Sequence, residues 1–214
     1  MNYRSCFRGF SGFLTFLFFL IFHSDLNAQS REFQYGLNLG VSLTQIDGDN
    51  LSGYDKFGPH VGVFVERQLK KKFGLRAEFL FTVKGAKNYV DKNNITDPLK
   101  AALYYMEVPI IATYSIKKLK IEAGPSFGVL MWAYNSNNSG NFLTNTRDYN
   151  RMEWAMHWGG SYLVKKNLTV YARFSYSVLN IDGGPHGRLL SSPRLRTGYY
   201  NNVLSFGIRR YFGT

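Results

Sequence analysis

Residues 73–85 read FGLRAEFLFTVKG and alternate between two kinds of side chain. The odd positions are apolar: Phe73, Leu75, Ala77, Phe79, Phe81 and Val83. The even positions include glycine, arginine, glutamate, threonine and lysine. Because successive side chains on a β-strand point to opposite faces, this period of two predicts a strand with one apolar and one polar face.

Seven further segments alternate in the same way, at residues 33–44, 57–68, 102–116, 119–132, 152–164, 168–178 and 200–212. Eight strands of about 11 to 15 residues are longer than ordinary globular strands. The connections alternate between short turns, at 69–72, 117–118 and 165–167, and longer polar segments, at 47–56, 85–101, 133–151 and 182–198. This predicts an all-β, eight-stranded antiparallel up-and-down transmembrane barrel, with long extracellular loops, short periplasmic turns and both termini on the periplasmic side.

The polar faces carry ionisable side chains of both signs, with five glutamates against five lysines or arginines. They are Glu66, Arg76, Glu78, Lys84, Glu107, Lys120, Glu122, Glu153, His157, Arg173 and Arg209. Such balance is typical of a narrow lumen, where partly desolvated charges must pair. The pattern therefore predicts a barrel that is apolar outside and filled with ion pairs inside. A soluble, lipocalin-like barrel with the opposite arrangement remains the alternative.

The N-terminal residues have the pattern of an export signal. Arg4 and Arg8 precede an apolar run at 13–22, and Ala28 offers a small residue for cleavage. We expect residues 1–28 to be a cleavable signal peptide and 29–214 to be the outer-membrane domain. The single cysteine, Cys6, lies in the signal, which excludes a disulfide scaffold and a cysteine-based zinc site in the barrel.

Aromatic residues cluster near the predicted strand ends, as in the two girdles of a membrane barrel. They are Tyr104, Trp154, Tyr199 and Tyr200 towards the loops, and Phe73, Tyr114, Tyr211 and Phe212 towards the turns. The last strand ends at Phe212 and resembles the terminal strand that barrel-insertion machinery reads. Phe212 is therefore the predicted C-terminal insertion signal.

Several segments resemble the PorT-like outer membrane protein β-barrel domain family of Bacteroidetes. The most specific are YMEVP at 105–109 and EAGPSFG at 122–128, with 57–64, 73–85, 171–181 and 204–212 completing the series. The resemblance implies an eight-stranded outer-membrane barrel. Some members of the wider family are implicated in type IX secretion and gliding, which implies periplasmic or secretion-system proteins as partners. It carries over no catalytic residues.

The sequence shows no arrangement typical of a catalytic site. A lipid-modifying outer-membrane enzyme would need a His-Ser-acid set, and the candidates are His60, His157, Ser161 and His186. His157 and Ser161 would lie about 13 Å apart along one strand, too far to pair. The acidic residues at 47–50 lack the remaining ligands of a calcium loop. We therefore expect no enzymatic activity, no cofactor and no metal.

The formal net charge of +12 would suit a nucleic-acid partner, but the export signal and the strand pattern argue against one. Seven lysines occupy the three short turns, either to meet anionic phospholipid headgroups or simply as soluble turn residues. In the last long loop, Arg188, Arg194 and Arg196 are predicted to contact lipopolysaccharide phosphates.

The sequence thus predicts a non-enzymatic barrel integral to the outer membrane, with a structural or interaction role and a link to type IX secretion. The expected partners are outer-membrane lipid, lipopolysaccharide, the insertion machinery and secretion-system proteins. A small passive porin-like channel and a lipid-modifying enzyme are the alternatives.

Overall fold

The described residues form nine antiparallel strands, eight of them long, in a computed structural model. It describes residues 33–47, 54, 56–87, 100–136, 142–144, 149–181 and 199–212. The strands are β1 Phe33–Asp47, β2 Lys56–Gln68, β3 Phe73–Lys87, β4 Lys100–Ile116, β5 Leu119–Ser136, β6 Phe142–Thr144, β7 Met152–Lys165, β8 Leu168–Ser177 and β9 Tyr200–Phe212. Among the described residues there is no helix that is long and apolar enough to cross a membrane. The predicted signal peptide lies outside the described residues.

The eight long strands close into a barrel. Neighbours in sequence pair along the sheet, β5 pairs with β7, and β9 returns to pair with β1. The closing register runs from Tyr35 opposite Phe212 to Asp47 opposite Tyr200. Closure gives every long strand two hydrogen-bonded neighbours and so removes the free edges of the sheet. The predicted eight-stranded antiparallel barrel is confirmed.

Large apolar side chains cover the outside of the barrel, and polar side chains fill its middle. On β1, Leu39 is 47% exposed, whereas the adjacent Asn38 is fully buried. The same contrast recurs on the other long strands, for example between exposed Phe79 and buried Glu78 on β3. A soluble barrel has the opposite arrangement, with a polar outer face. An apolar outer face suits a barrel that is surrounded by lipid. The lipocalin-like alternative is therefore wrong.

A β-bulge changes the alternation near the end of β5. Tyr104 pairs with Trp132, whereas Tyr105 pairs with Leu130, so Met131 is the extra residue. As a result Met131 and Trp132 both face outwards, and Ala133 is buried. The strand continues to Ser136, beyond the predicted end at residue 132, and β6 pairs with its last residues.

The two ends of the barrel differ. The turns at 69–72, 117–118 and 166–167 lie at one end, together with Phe33 and Phe212, and we call this the turn end. Lys117 adopts a φ of 56°, the left-handed conformation that tight hairpin turns require. At the opposite, loop end, an apolar cluster fills the interior with Ile46, Ala86, Leu103, Tyr105, Leu130, Ala133 and Ile181.

A charge introduced on the outer face should cost most at the middle of the barrel wall. Leu39 lies midway along β1 and Gln45 lies on the same face near the loop end. We expect Leu39→Arg to lower the free energy of unfolding by about 2–4 kcal/mol and Gln45→Arg by about 1 kcal/mol or less, because only the former places arginine at the bilayer midplane. Urea unfolding in phospholipid vesicles measures both. Equal costs would contradict a lipid-facing outer surface.

Candidate functional site

The interior of the barrel holds the charged residues that the sequence pattern singled out. Ten of them are at most 4% exposed, namely Glu66, Arg76, Glu78, Lys84, Glu107, Glu122, Glu153, His157, Arg173 and Arg209. The eleventh, Lys120, keeps 23% of its side chain exposed. Charged side chains this deeply buried are stable only when they are paired and hydrogen-bonded. Their ion pairs fall into two groups.

The larger group, the turn-side cluster, consists of Glu66, Arg76, Glu78, Lys120, Glu122, Arg173 and Arg209. Arg76 contacts three carboxylates, with distances of 3.1 Å to Glu66, 2.8 Å to Glu78 and 2.5 Å to Glu122. Glu66 lies directly opposite Arg76 in the β2–β3 register, and it also accepts a 2.6 Å bond from Lys120. The cluster therefore joins the paired strands β2 and β3 to β5, which lies beyond β4 in the wall.

Two further arginines reach the same carboxylates from the other side of the barrel. Arg173 on β8 donates to both oxygens of Glu78, at 2.9 and 2.6 Å. Arg209 on β9 donates to both oxygens of Glu122, at 2.7 and 3.1 Å, and its guanidinium lies 3.8 Å from the ring centre of Tyr171. Two-pronged arginine–carboxylate pairs of this kind are strong and fix the geometry of both partners.

The smaller group, the loop-side cluster, consists of Lys84, Glu107 and Glu153. The Lys84 ammonium contacts Glu107 and lies 2.7 Å from Glu153. Asn201 adds a 2.9 Å hydrogen bond to Glu153. The turn-side cluster has four cations and three carboxylates, a formal charge of +1, and the loop-side cluster has one cation and two carboxylates, a formal charge of −1. The interior network is therefore neutral as a whole.

A small cavity lies between the two clusters, lined by Lys84 and Glu107 of the one and Arg173 of the other. Its volume is about 20 Å³, and its walls include His60, Thr82, His157, Ser175 and Ser205. A space of this size holds about one water molecule. The middle of the barrel is thus filled by side chains, as expected for eight strands.

Each interior histidine is hydrogen-bonded to a serine. His60 Nδ1 lies 3.0 Å from Ser42 Oγ, and His157 Nε2 lies 2.7 Å from Ser126 Oγ. The sequence pattern paired His157 with Ser161 on the same strand and missed Ser126. His157 and Ser126 lie on the adjacent strands β7 and β5, and only the register of these strands brings them together. Ser161 donates instead to Glu122, at 2.6 Å.

These pairs lack the environment of a nucleophile with its base. A catalytic pair needs a third group that orients the base and a route for the substrate. His157 Nδ1 has no hydrogen-bond partner within the described part of the chain, while the other ring nitrogen of His60 contacts Tyr171 rather than a carboxylate. All four His and Ser side chains are buried inside the barrel.

The described segments contain no group of three or more His, Cys, Asp or Glu side chains that could hold a metal ion. Arg188, Arg194 and Arg196, predicted to contact lipopolysaccharide, lie outside the described residues, as does His186.

A family model described as an outer membrane protein beta-barrel domain matches residues 27–183. The chain belongs to the outer membrane protein β-barrel domain family. This membership agrees with the apolar outer wall, and it makes the chain an outer-membrane protein. No curated protein matches the sequence.

Solved structures similar to this family member are also barrels. Neisserial surface protein A (NspA) is 15% identical, with a TM-score of 0.53 over 84% of this chain and 97% of NspA. The attachment invasion locus protein Ail of Yersinia pestis is 15% identical, with a TM-score of 0.48 over 85% of this chain and 99% of Ail. CarO of Acinetobacter baumannii is 9% identical, with a TM-score of 0.45 over 83% and 97%. At such low identity the likeness to NspA concerns the fold alone.

One residue assigned to the aromatic girdle of this outer-membrane barrel lies elsewhere. Tyr211 is only 6% exposed and points into the lumen, where its hydroxyl donates to Glu66 at 3.0 Å. The adjacent Phe212 faces outwards beside Tyr35. The register of β9 with β1 is regular here, so these adjacent residues point to opposite faces, and the girdle assignment of Tyr211 was wrong. The role of Phe212 as an insertion signal stays a prediction.

The adjacent residues Arg209 and Arg210 provide a matched test of the interior network. Arg209 is buried against Glu122 and Arg210 is exposed on the outside. We expect Arg209→Gln to lower the free energy of unfolding by about 3–5 kcal/mol, because it leaves a buried carboxylate short of a partner. Arg210→Gln should change it by about 0.5 kcal/mol or less. Urea unfolding measures the free energy of unfolding of both variants. A similar loss in the two would mean that the interior ion pairs add little stability.

Proposed function

We propose that this chain is a non-enzymatic outer-membrane barrel with a structural or interaction role in the cell envelope, and that it assists type IX secretion. The observation that carries the first part is the set of ion pairs that span the lumen. Arg173 and Arg209 join strands β8 and β9 to Glu78 on β3 and Glu122 on β5. These contacts connect opposite walls and leave little room between them.

The filled interior argues against a passive channel. A conducting barrel needs a continuous aqueous path, whereas here the cavity between the clusters has room for about one water molecule. Towards the loop end the interior continues as the apolar cluster around Leu103 and Tyr105. The outer wall and the two ends are therefore the surfaces on which this barrel acts.

The position of the His–Ser pairs argues against a lipid-modifying enzyme. Such an enzyme must present its nucleophile to a lipid substrate at the membrane surface. Ser42 and Ser126 are instead at most 4% exposed, inside the barrel wall. A lipid headgroup would have to displace the ion-pair network to reach them.

The link to type IX secretion rests on the PorT-like segments of the sequence. Segments 105–109 and 122–128 lie on the paired strands β4 and β5, with Pro109 opposite Ser126. Their acidic residues, Glu107 and Glu122, enter the loop-side and turn-side clusters respectively. The partners in this role would be periplasmic proteins of the secretion system.

Planar-bilayer recording tests the structural role against the channel. We expect the purified, folded barrel to give no stable conductance in 1 M KCl, because the ion pairs fill the lumen. A variant in which Arg76, Arg173 and Arg209 are all changed to Ser provides the comparison, since it removes both charge and volume. Long-lived, ohmic conductance of the wild-type barrel would replace the structural proposal with the channel.

Deletion in the native host tests the secretion role. We expect cargo with type IX secretion signals to disappear from the surface and medium and to accumulate in the periplasm, as measured by quantitative proteomics. Return of secretion on expression of the wild-type chain is the control for secondary mutations. An unchanged secretome would remove the secretion role and leave the structural role intact.

A further inference from the structure

Basic side chains form an exposed ring at the turn end of the barrel. We call this ring the lysine rim, and it comprises Lys70, Lys71, Lys72, Lys117, Lys118, Lys165, Lys166 and Arg210. All eight side chains are exposed. The rim therefore concentrates positive charge at one end of the molecule.

No carboxylate in the described parts of the chain shields this charge. The acidic residues there are Asp47, at the loop end of β1, and the five glutamates. All five glutamates are at most 3% exposed and belong to the two interior clusters. Within the described residues, the cations of the rim therefore have no exposed carboxylate as a counter-charge at the turn end.

The rim begins where the apolar outer wall ends. Next to the lysines lie exposed apolar or aromatic side chains, among them Phe33, Phe73, Ile116, Leu119, Tyr162, Val164 and Phe212. Lysine can lay its aliphatic stem along such a surface and keep its ammonium group in the polar layer beyond. This position is the headgroup level of a bilayer, where aromatic girdles of membrane barrels lie.

The distribution of the rim around the barrel distinguishes a lipid from a protein. Its three turns follow β2, β4 and β7, and Arg210 lies on β9, so the cations are spread around the circumference. A single globular partner would cover one side of such a ring. A bilayer leaflet surrounds the barrel completely and meets every turn.

We infer that the lysine rim binds the phosphate groups of anionic phospholipids in the leaflet around the turn end. Short turns of outer-membrane barrels face the periplasm, which makes this the periplasmic leaflet. Each basic side chain close to an anionic membrane surface adds to the attraction. The rim thus holds the turn end at a fixed depth and collects anionic lipid around the barrel.

Native mass spectrometry of the full, folded chain tests the inference. The protein is released from detergent containing equal amounts of phosphatidylglycerol and phosphatidylethanolamine, and retained lipids are counted. We expect the wild-type chain to retain phosphatidylglycerol preferentially. Changing the seven lysines to Gln should reduce this preference about tenfold or more, because seven attractive charges are lost. Changing the same seven to Arg, which keeps the charge, should preserve it.

Equal retention of both lipids by the wild-type chain overturns the inference, and so does an unchanged preference in the Gln variant. Loss of the preference in the Arg variant would also overturn it, since charge would then not be the cause. Should the sevenfold variant fail to fold, as judged by its mobility on unheated SDS gels, the variant with Gln at Lys70, Lys71 and Lys72 alone replaces it. That variant should show a partial loss, and full retention there counts against the inference.

Discussion

Every ionised side chain inside this barrel must meet a charge of opposite sign, because the lumen has no room for a hydration shell. Nine charged side chains are at most 4% exposed, and the cavity between the two clusters, about 20 Å³, holds about one water molecule. Arg76 meets this requirement with three carboxylates, and Glu78 and Glu122 are each shared between arginines from different walls. The closed sheet positions these groups, and their pairing in turn fixes the distance between opposite walls.

The same requirement separates charge between the inside and the outside. The interior holds five glutamates and five lysines or arginines, whose formal charges cancel. Among the described residues, the unbalanced positive charge therefore lies outside the lumen, and its largest group is the lysine rim. The sharp division between a neutral lumen, an apolar wall and a cationic turn end gives the molecule a polarity along its axis.

The sequence predicts the faces of the strands better than the contacts between them. Counting in twos from Phe73 puts Arg76 and Glu78 on one face, and the structure lays both in the lumen. The count fails after Met131, because the bulge inserts a residue and turns Trp132 outwards. It also cannot show that Ser126 meets His157, or that Tyr171 donates to Asn38, since these contacts depend on register and on closure. The prediction for Tyr211 was wrong for a different reason. It rested on the aromatic side chain near a strand end, although the alternation along β9 puts Tyr211 on the lumen face.

The order in which the ion-pairing residues occur along the chain bears on how the barrel reaches the membrane. Glu78 and Glu122 lie on β3 and β5, whereas the Arg173 and Arg209 that pair with them lie on the last two strands. A sheet that lacks β8 and β9 leaves Glu78 and Glu122 without these two cations, so entry into hydrocarbon strand by strand would carry uncompensated charge. The buried carboxylates have all of their cations only when β8 and β9 have joined the sheet and β9 has paired with β1. The C-terminal strand therefore completes both the closed wall and the pairing of the charges inside it.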